Sequence, residues 1–127
     1  MSGDSLTLTV AAFFLVMGMI ALAAPERIVE YFGITMLTTD GRNEVRAVYG
    51  GFGIAMASLL VATVWVSSIR TGVHLTLAAA LIGMACGRLI SRWIDGTAGR
   101  YPWIFFGVEV TLTVLLLTAS LYGGNAA

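Results

Sequence analysis

Glu109, Arg88 and Arg46 are the residues from which any chemistry of this chain must start. Each lies inside a stretch otherwise built of apolar and small residues. Charges in such surroundings are costly, and inside a membrane span they mark sites or ion pairs by default. The spacing around them recurs. Asn43, Arg46, Tyr49, Gly50, Gly53 and Ala57 follow steps of three and four, and so do Arg88, Ser91, Arg92 and Asp95. Such steps place residues on one face of a helix. Asn43, Arg46, Tyr49, Arg88, Ser91, Asp95 and Glu109 are therefore the candidate ligand-binding residues. The guanidiniums suit an anionic or carbonyl-bearing head, and Tyr49 and Ser91 can add neutral hydrogen bonds.

The chemistry on offer is binding rather than covalent work. There is no Ser/His pair, HExxH, CxxC or phosphate loop. His74 and Cys86 are the only histidine and the only cysteine, and neither has a metal-ligand cluster around it. No catalytic residue, metal or cofactor is expected. A single cysteine cannot close an internal disulfide, and Cys86 reads as a small buried hydrophobe. His74 reads as a histidine satisfied near a helix end.

The elements that must position these residues follow from composition. Of 127 residues, 58% are hydrophobic and 11% charged, and the mean hydropathy is +0.91. A soluble domain carries about 25% charged residues, and a small fold buries only about two-thirds of its unfolded surface. An ordinary soluble globule and a disordered chain are both excluded. Seven arginines balance seven acids, with no lysine. That balance gives no field or basic track for nucleic acid.

A helical span needs about 20 mostly apolar residues, and the chain has four such runs, at 6–24, 43–66, 72–94 and 102–122. They are too long and too unalternating for barrel strands, and lipid tolerates only helices or closed barrels. The expected fold is a single all-α domain, an integral membrane four-helix bundle. In the first loop, Pro25 can start and Gly33 can stop a short interfacial helix. It would carry Ile28, Val29 and Phe32 on one face and Glu26, Arg27 and Glu30 on the other. The first run ends in Ala21-Leu22-Ala23-Ala24, but the residues before it hold Asp4 and no basic residue, so a retained helix is expected rather than a cleaved signal. No internal repeat supports an inverted-repeat transporter.

Orientation follows from arginines. Arg27, Arg42, Arg92 and Arg100 occupy loops one and three, whereas the other side has only Arg70. This predicts loops one and three in the cytoplasm and both termini in the periplasm of a bacterial inner membrane. The second span then begins, the third ends and the fourth begins on one side, which puts Arg46, Arg88 and Glu109 in one leaflet. Arg88 lies seven residues before Asp95, and Glu109 seven beyond Pro102. At 1.5 Å per residue each is about 10 Å deep. Glu109 is expected to bridge Arg88, Arg46 or both, and Asp95 to offset Arg88 or Arg92. Gly83 and Gly87 form a GxxxG, read as helix packing.

Three functional readings result. The charges could form a site for a lipid-like or isoprenoid-like ligand, drawn from the membrane bilayer, with its tail between helices. They could instead lock helix register in an assembly subunit, partnered by another membrane protein or by further copies of itself. Or Glu109 could carry protons in a membrane enzyme or carrier.

The run Asn43-Glu44-Val45-Arg46-Ala47-Val48-Tyr49-Gly50-Gly51, then Gly87-Arg88-Leu89-Ile90-Ser91, Asp95-Gly96, and Glu109 in the last span resembles a bacterial family of small four-span membrane proteins. That family is known as domain of unknown function 4345 and is similar in layout to the DoxX-like proteins. The resemblance covers nearly the whole chain. It implies fold and membrane location, and brings no assigned catalytic or ligand residues with it.

Overall fold

A computed structural model describes residues 2–96 and 99–123, and no strand occurs among them. The helices are α1 (Gly3–Ala23), α2 (Pro25–Glu30), α3 (Thr39–Val45), a π-helical turn (Arg46–Gly51), α4 (Phe52–Trp65), α5 (Ser67–Asp95) and α6 (Arg100–Gly123). From Thr39 to Trp65 the helix is continuous, so four stretches are long and apolar enough to cross a membrane. The chain is an all-α multi-pass membrane protein with a short helix in its first loop. At 29 residues, α5 is about 43 Å long, which exceeds the roughly 30 Å hydrocarbon core and carries its ends to the headgroup level. Trp65 and Trp93 are 76% and 86% exposed near helix ends, as amphipathic rings at an interface require.

Local signals set the boundaries. Pro25 stands in the first turn of α2, where its missing N–H is not needed. After α2, Ile34 N donates to Val29 O and Gly33 N to Glu30 O. Gly33 has φ +77°, the left-handed residue that this paired closure requires. Thr38 caps α3 by accepting from Gly41 N at 3.0 Å. Gly96, with φ +73°, ends α5.

Two compact units are distinguishable. In the first, Leu8–Ala62, α1 meets the π turn and α4 at van der Waals distance. A Cβ on Gly53 would lie 3.0 Å from Phe14 O and 3.1 Å from Gly18 Cα, and one on Gly18 would lie 3.0 Å from Gly50 O. Small residues let the two backbones approach this closely. The π turn alters the phase of the face expected from steps of three and four. The buried positions are Val45, Gly50, Gly53, Ala57 and Leu60, with a step of five across the π turn, and Asn43 and Arg46 are exposed.

The second unit holds the remaining residues. Its main body is the antiparallel pair α5 and α6. The buried face of α5 is His74, Leu77, Ala78, Leu81 and Ala85, and α6 buries Leu112, Thr113, Leu116 and Ala119. Cys86 falls one position past this face and is exposed rather than buried. Gly83 and Gly87 are exposed too, and a Cβ on either would meet nothing within 4 Å. The GxxxG of α5 therefore packs no helix among the described residues. The Gly18/Gly50/Gly53 crossing does that work in the other unit.

Replacing glycines tests this assignment. Gly53→Val should lower stability in detergent by about 1–3 kcal/mol, because the added atoms meet backbone. Gly83→Val and Gly87→Val should leave the melting temperature unchanged. Thermal unfolding followed by circular dichroism checks both.

Candidate functional site

The charge pair of the second unit is Arg88 on α5 and Glu109 on α6. Arg88 Nε donates to Oε1 and Oε2 of Glu109, each at 2.9 Å, and Nη2 donates to Oε1 at 2.7 Å. This is the forked, charge-assisted arrangement that guanidinium and carboxylate planes favour. Glu109 is buried, at 6% exposure. Arg88 is about a quarter exposed, and its guanidinium lies over the Phe105 ring, 5.2 Å from the centroid. Nη1 of Arg88 donates to nothing among the described residues. Thr113 Oγ1 donates to Glu109 O at 2.8 Å, a turn along α6.

Ser91 and Asp95 lie on the same helix as Arg88, further toward its end. Ser91 Oγ donates to Asp95 Oδ2 at 3.2 Å. Asp95 makes no ion pair among the described residues, so the expected offset of Arg88 or Arg92 by Asp95 is not the arrangement found. Arg88 is taken by Glu109. Arg92 turns the other way, donating Nη1 to Gly96 O at 3.0 Å and lying over Trp103 at 5.9 Å. The terminal carbonyls of α5 lack intrahelical partners, and Arg92 satisfies one of the groups just beyond them.

Asn43, Arg46 and Tyr49 belong to the other unit. Arg46 Nε donates to Leu22 O at 3.0 Å. That carbonyl lies in the last turn of α1, where a cation complements both the open acceptor and the helix dipole. Tyr49 stacks at a tilt on Phe32, 6.3 Å between centroids, so it braces the segment after α2. Asn43 is exposed on α3. The structure thus joins Arg88 directly to Glu109 and Ser91 to Asp95, and gives Arg46 and Tyr49 partners within their own unit.

A polar cluster at the other end of α5 was not anticipated. Arg70 Nη2 pairs with Asp4, and both Nε and Nη2 reach Thr63 O at 3.2 Å. One turn on, His74 Nε2 lies 3.1 Å from Thr7 Oγ1, which itself donates to Gly3 O at 2.9 Å. His74 is wholly buried, and its Nδ1 has no hydrogen-bond partner. It is thus held through one nitrogen only, inside the helix packing rather than at an open helix end. The signal for the ion pair was present: Asp4 and Arg70 are the sole charges on their side of the chain. Opposite charges at one membrane level pair here as Arg88 and Glu109 do at the other.

Removing one partner of the Arg88–Glu109 pair should be far worse than removing both. Arg88→Leu leaves a buried carboxylate uncompensated and should cost about 3–5 kcal/mol. Arg88→Leu combined with Glu109→Leu should restore most of that loss. Melting of the three proteins in one detergent measures the difference.

A search of curated proteins and a search of solved structures return no match. The model of a family described as domain of unknown function (DUF4345) matches residues 5–120, a range that contains Arg88, Glu109, the π turn and all but the ends of the four long helices. By that match the chain belongs to the DUF4345 family.

Proposed function

We propose that this chain binds a lipid-like amphiphile in the bacterial inner membrane, an isoprenoid-like molecule included. Its polar head would meet Arg88 and Glu109 in the cytoplasmic leaflet. Loops one and three face the cytoplasm and both termini the periplasm. The observation that supports the reading is the division of labour within Arg88. Nε and Nη2 are spent on Glu109, while Nη1 keeps its donors on a partly exposed side chain. Glu109 fixes the guanidinium, and the free edge is aimed by that fixation rather than by contact with a ligand. Ser91 and Asp95 add a hydroxyl and a carboxylate further along the same helix.

Native mass spectrometry of protein purified in mild detergent tests this. The wild type should retain a lipid-mass adduct. The variant combining Arg88→Leu and Glu109→Leu should retain about tenfold less, the worth of one good charged hydrogen bond. A wild type that keeps no lipid, and that no lipid stabilises against heat, overturns the reading.

A second reading, a subunit that docks on a further membrane helix, draws on the exposed Gly83 and Gly87 of α5. Small residues four apart in this way suit close helix contact. Cys86 stands between them and is exposed. On this reading, mild oxidation of native membranes gives one recurrent disulfide-linked product through Cys86, seen on a non-reducing gel. Chain that stays monomeric under those conditions contradicts it.

A further inference from the structure

The end of α5 and the start of α6 carry a second arrangement that the ion pair does not use. Three arginines each lie over a ring of α6: Arg88 over Phe105 at 5.2 Å, Arg92 over Trp103 at 5.9 Å and Arg100 over Tyr101 at 5.1 Å. All three distances are within cation–π range. Stacking fixes guanidiniums that would otherwise be mobile, so less freedom remains to be lost when an anion arrives.

Arg92 and Arg100 are both exposed, and most of their donors are unused. Arg92 gives Nη1 to Gly96 O, and Arg100 gives Nη2 to Tyr101 Oη at 3.4 Å. The other guanidinium nitrogens donate to nothing among the described residues. The charge is also unbalanced. Glu109 neutralises Arg88. Among the described residues Asp95 pairs with neither outer arginine, but in net count its one negative charge against Arg92 and Arg100 leaves one positive charge at this end. On the same stretches of α5 and α6 the apolar side chains Leu89, Ile90, Ile94 and Ile104 and the rings of Trp93 and Trp103 are exposed.

We infer that Arg92 and Arg100, held over Trp103 and Tyr101, clamp the phosphate of an anionic membrane phospholipid whose acyl chains run along the apolar face of α5 and α6. A phosphodiester carries one negative charge and two non-bridging oxygens. The first matches the residual charge, and the second the paired N–H forks. A zwitterionic headgroup brings its own cation and gains less. The inference rests on the lipid-binding reading above and gives that ligand its chemical class.

The full-length protein in detergent is titrated with phosphatidylglycerol, with phosphatidylcholine of the same acyl chains, and with inorganic phosphate alone. Adducts are counted by native mass spectrometry, and melting is followed in parallel. Phosphatidylglycerol should be retained about tenfold more than phosphatidylcholine, and Arg92→Gln and Arg100→Gln should each cut that preference about fivefold, near the worth of one interfacial arginine. Arg100→Gln should melt like the wild type, and Arg92→Gln, which loses its bond to Gly96 O, only slightly below it. Equal retention of the two lipids, or a preference unchanged in both variants, overturns the clamp and leaves the lipid-binding reading standing. Retention of neither lipid overturns both. Stabilisation by inorganic phosphate equal to that by phosphatidylglycerol shows a free-anion site and overturns the membrane source.

Discussion

A carboxylate packed among apolar helices must have a cation, and Glu109 has one. Most of the second unit can be read from that constraint. Glu109 sits on the inner face of α6, where Leu112, Leu116 and Ala119 continue the buried stripe. Its charge would be expensive there alone. Arg88 is the partner that α5 supplies, and the fork geometry tolerates little sliding. In lipid the hydrophobic effect gives helices scant reason to prefer one register over another. A bidentate pair does provide one, and it also orders the guanidinium. The same contact can therefore set the fold and present a ligand site.

Arginine performs three separate tasks in this chain. At Arg46 and Arg70 it closes helix ends, donating to Leu22 O and Thr63 O. At Arg88 it answers a buried acid. At Arg92 and Arg100 it stacks on rings and keeps donors open. The absence of lysine from the sequence fits this use, since an ammonium can neither fork onto a carboxylate nor stack flat on indole.

The sequence was informative where cost in lipid dictates the answer, and silent where it does not. Runs of about 20 apolar residues gave the four spans, and Pro25 with Gly33 gave the loop helix. Counting from span ends put Arg88 and Glu109 at one depth, because a charge in hydrocarbon has few alternatives. The Asp4–Arg70 pair obeys the same logic and was open to the same count. The outward turn of Gly83, Cys86 and Gly87 was not readable. A membrane helix can show apolar side chains to protein and to lipid alike, so periodicity no longer reports the buried face. The π turn was hidden for a different reason. It lies where Gly50 and Gly53 come close to α1, a tertiary contact that no local spacing encodes. Its effect is to leave Arg46 exposed, where it meets the end of α1.

The free edge of the Arg88 guanidinium is observed directly by side-chain 15N NMR of arginine in lipid nanodiscs. The Nε and Nη2 signals should stay shielded from exchange by Glu109 as lipid is added, while the Nη1 signal shifts with lipid occupancy. An Nη1 signal that ignores every lipid added would show that the pair only holds two helices together, and would contradict the account.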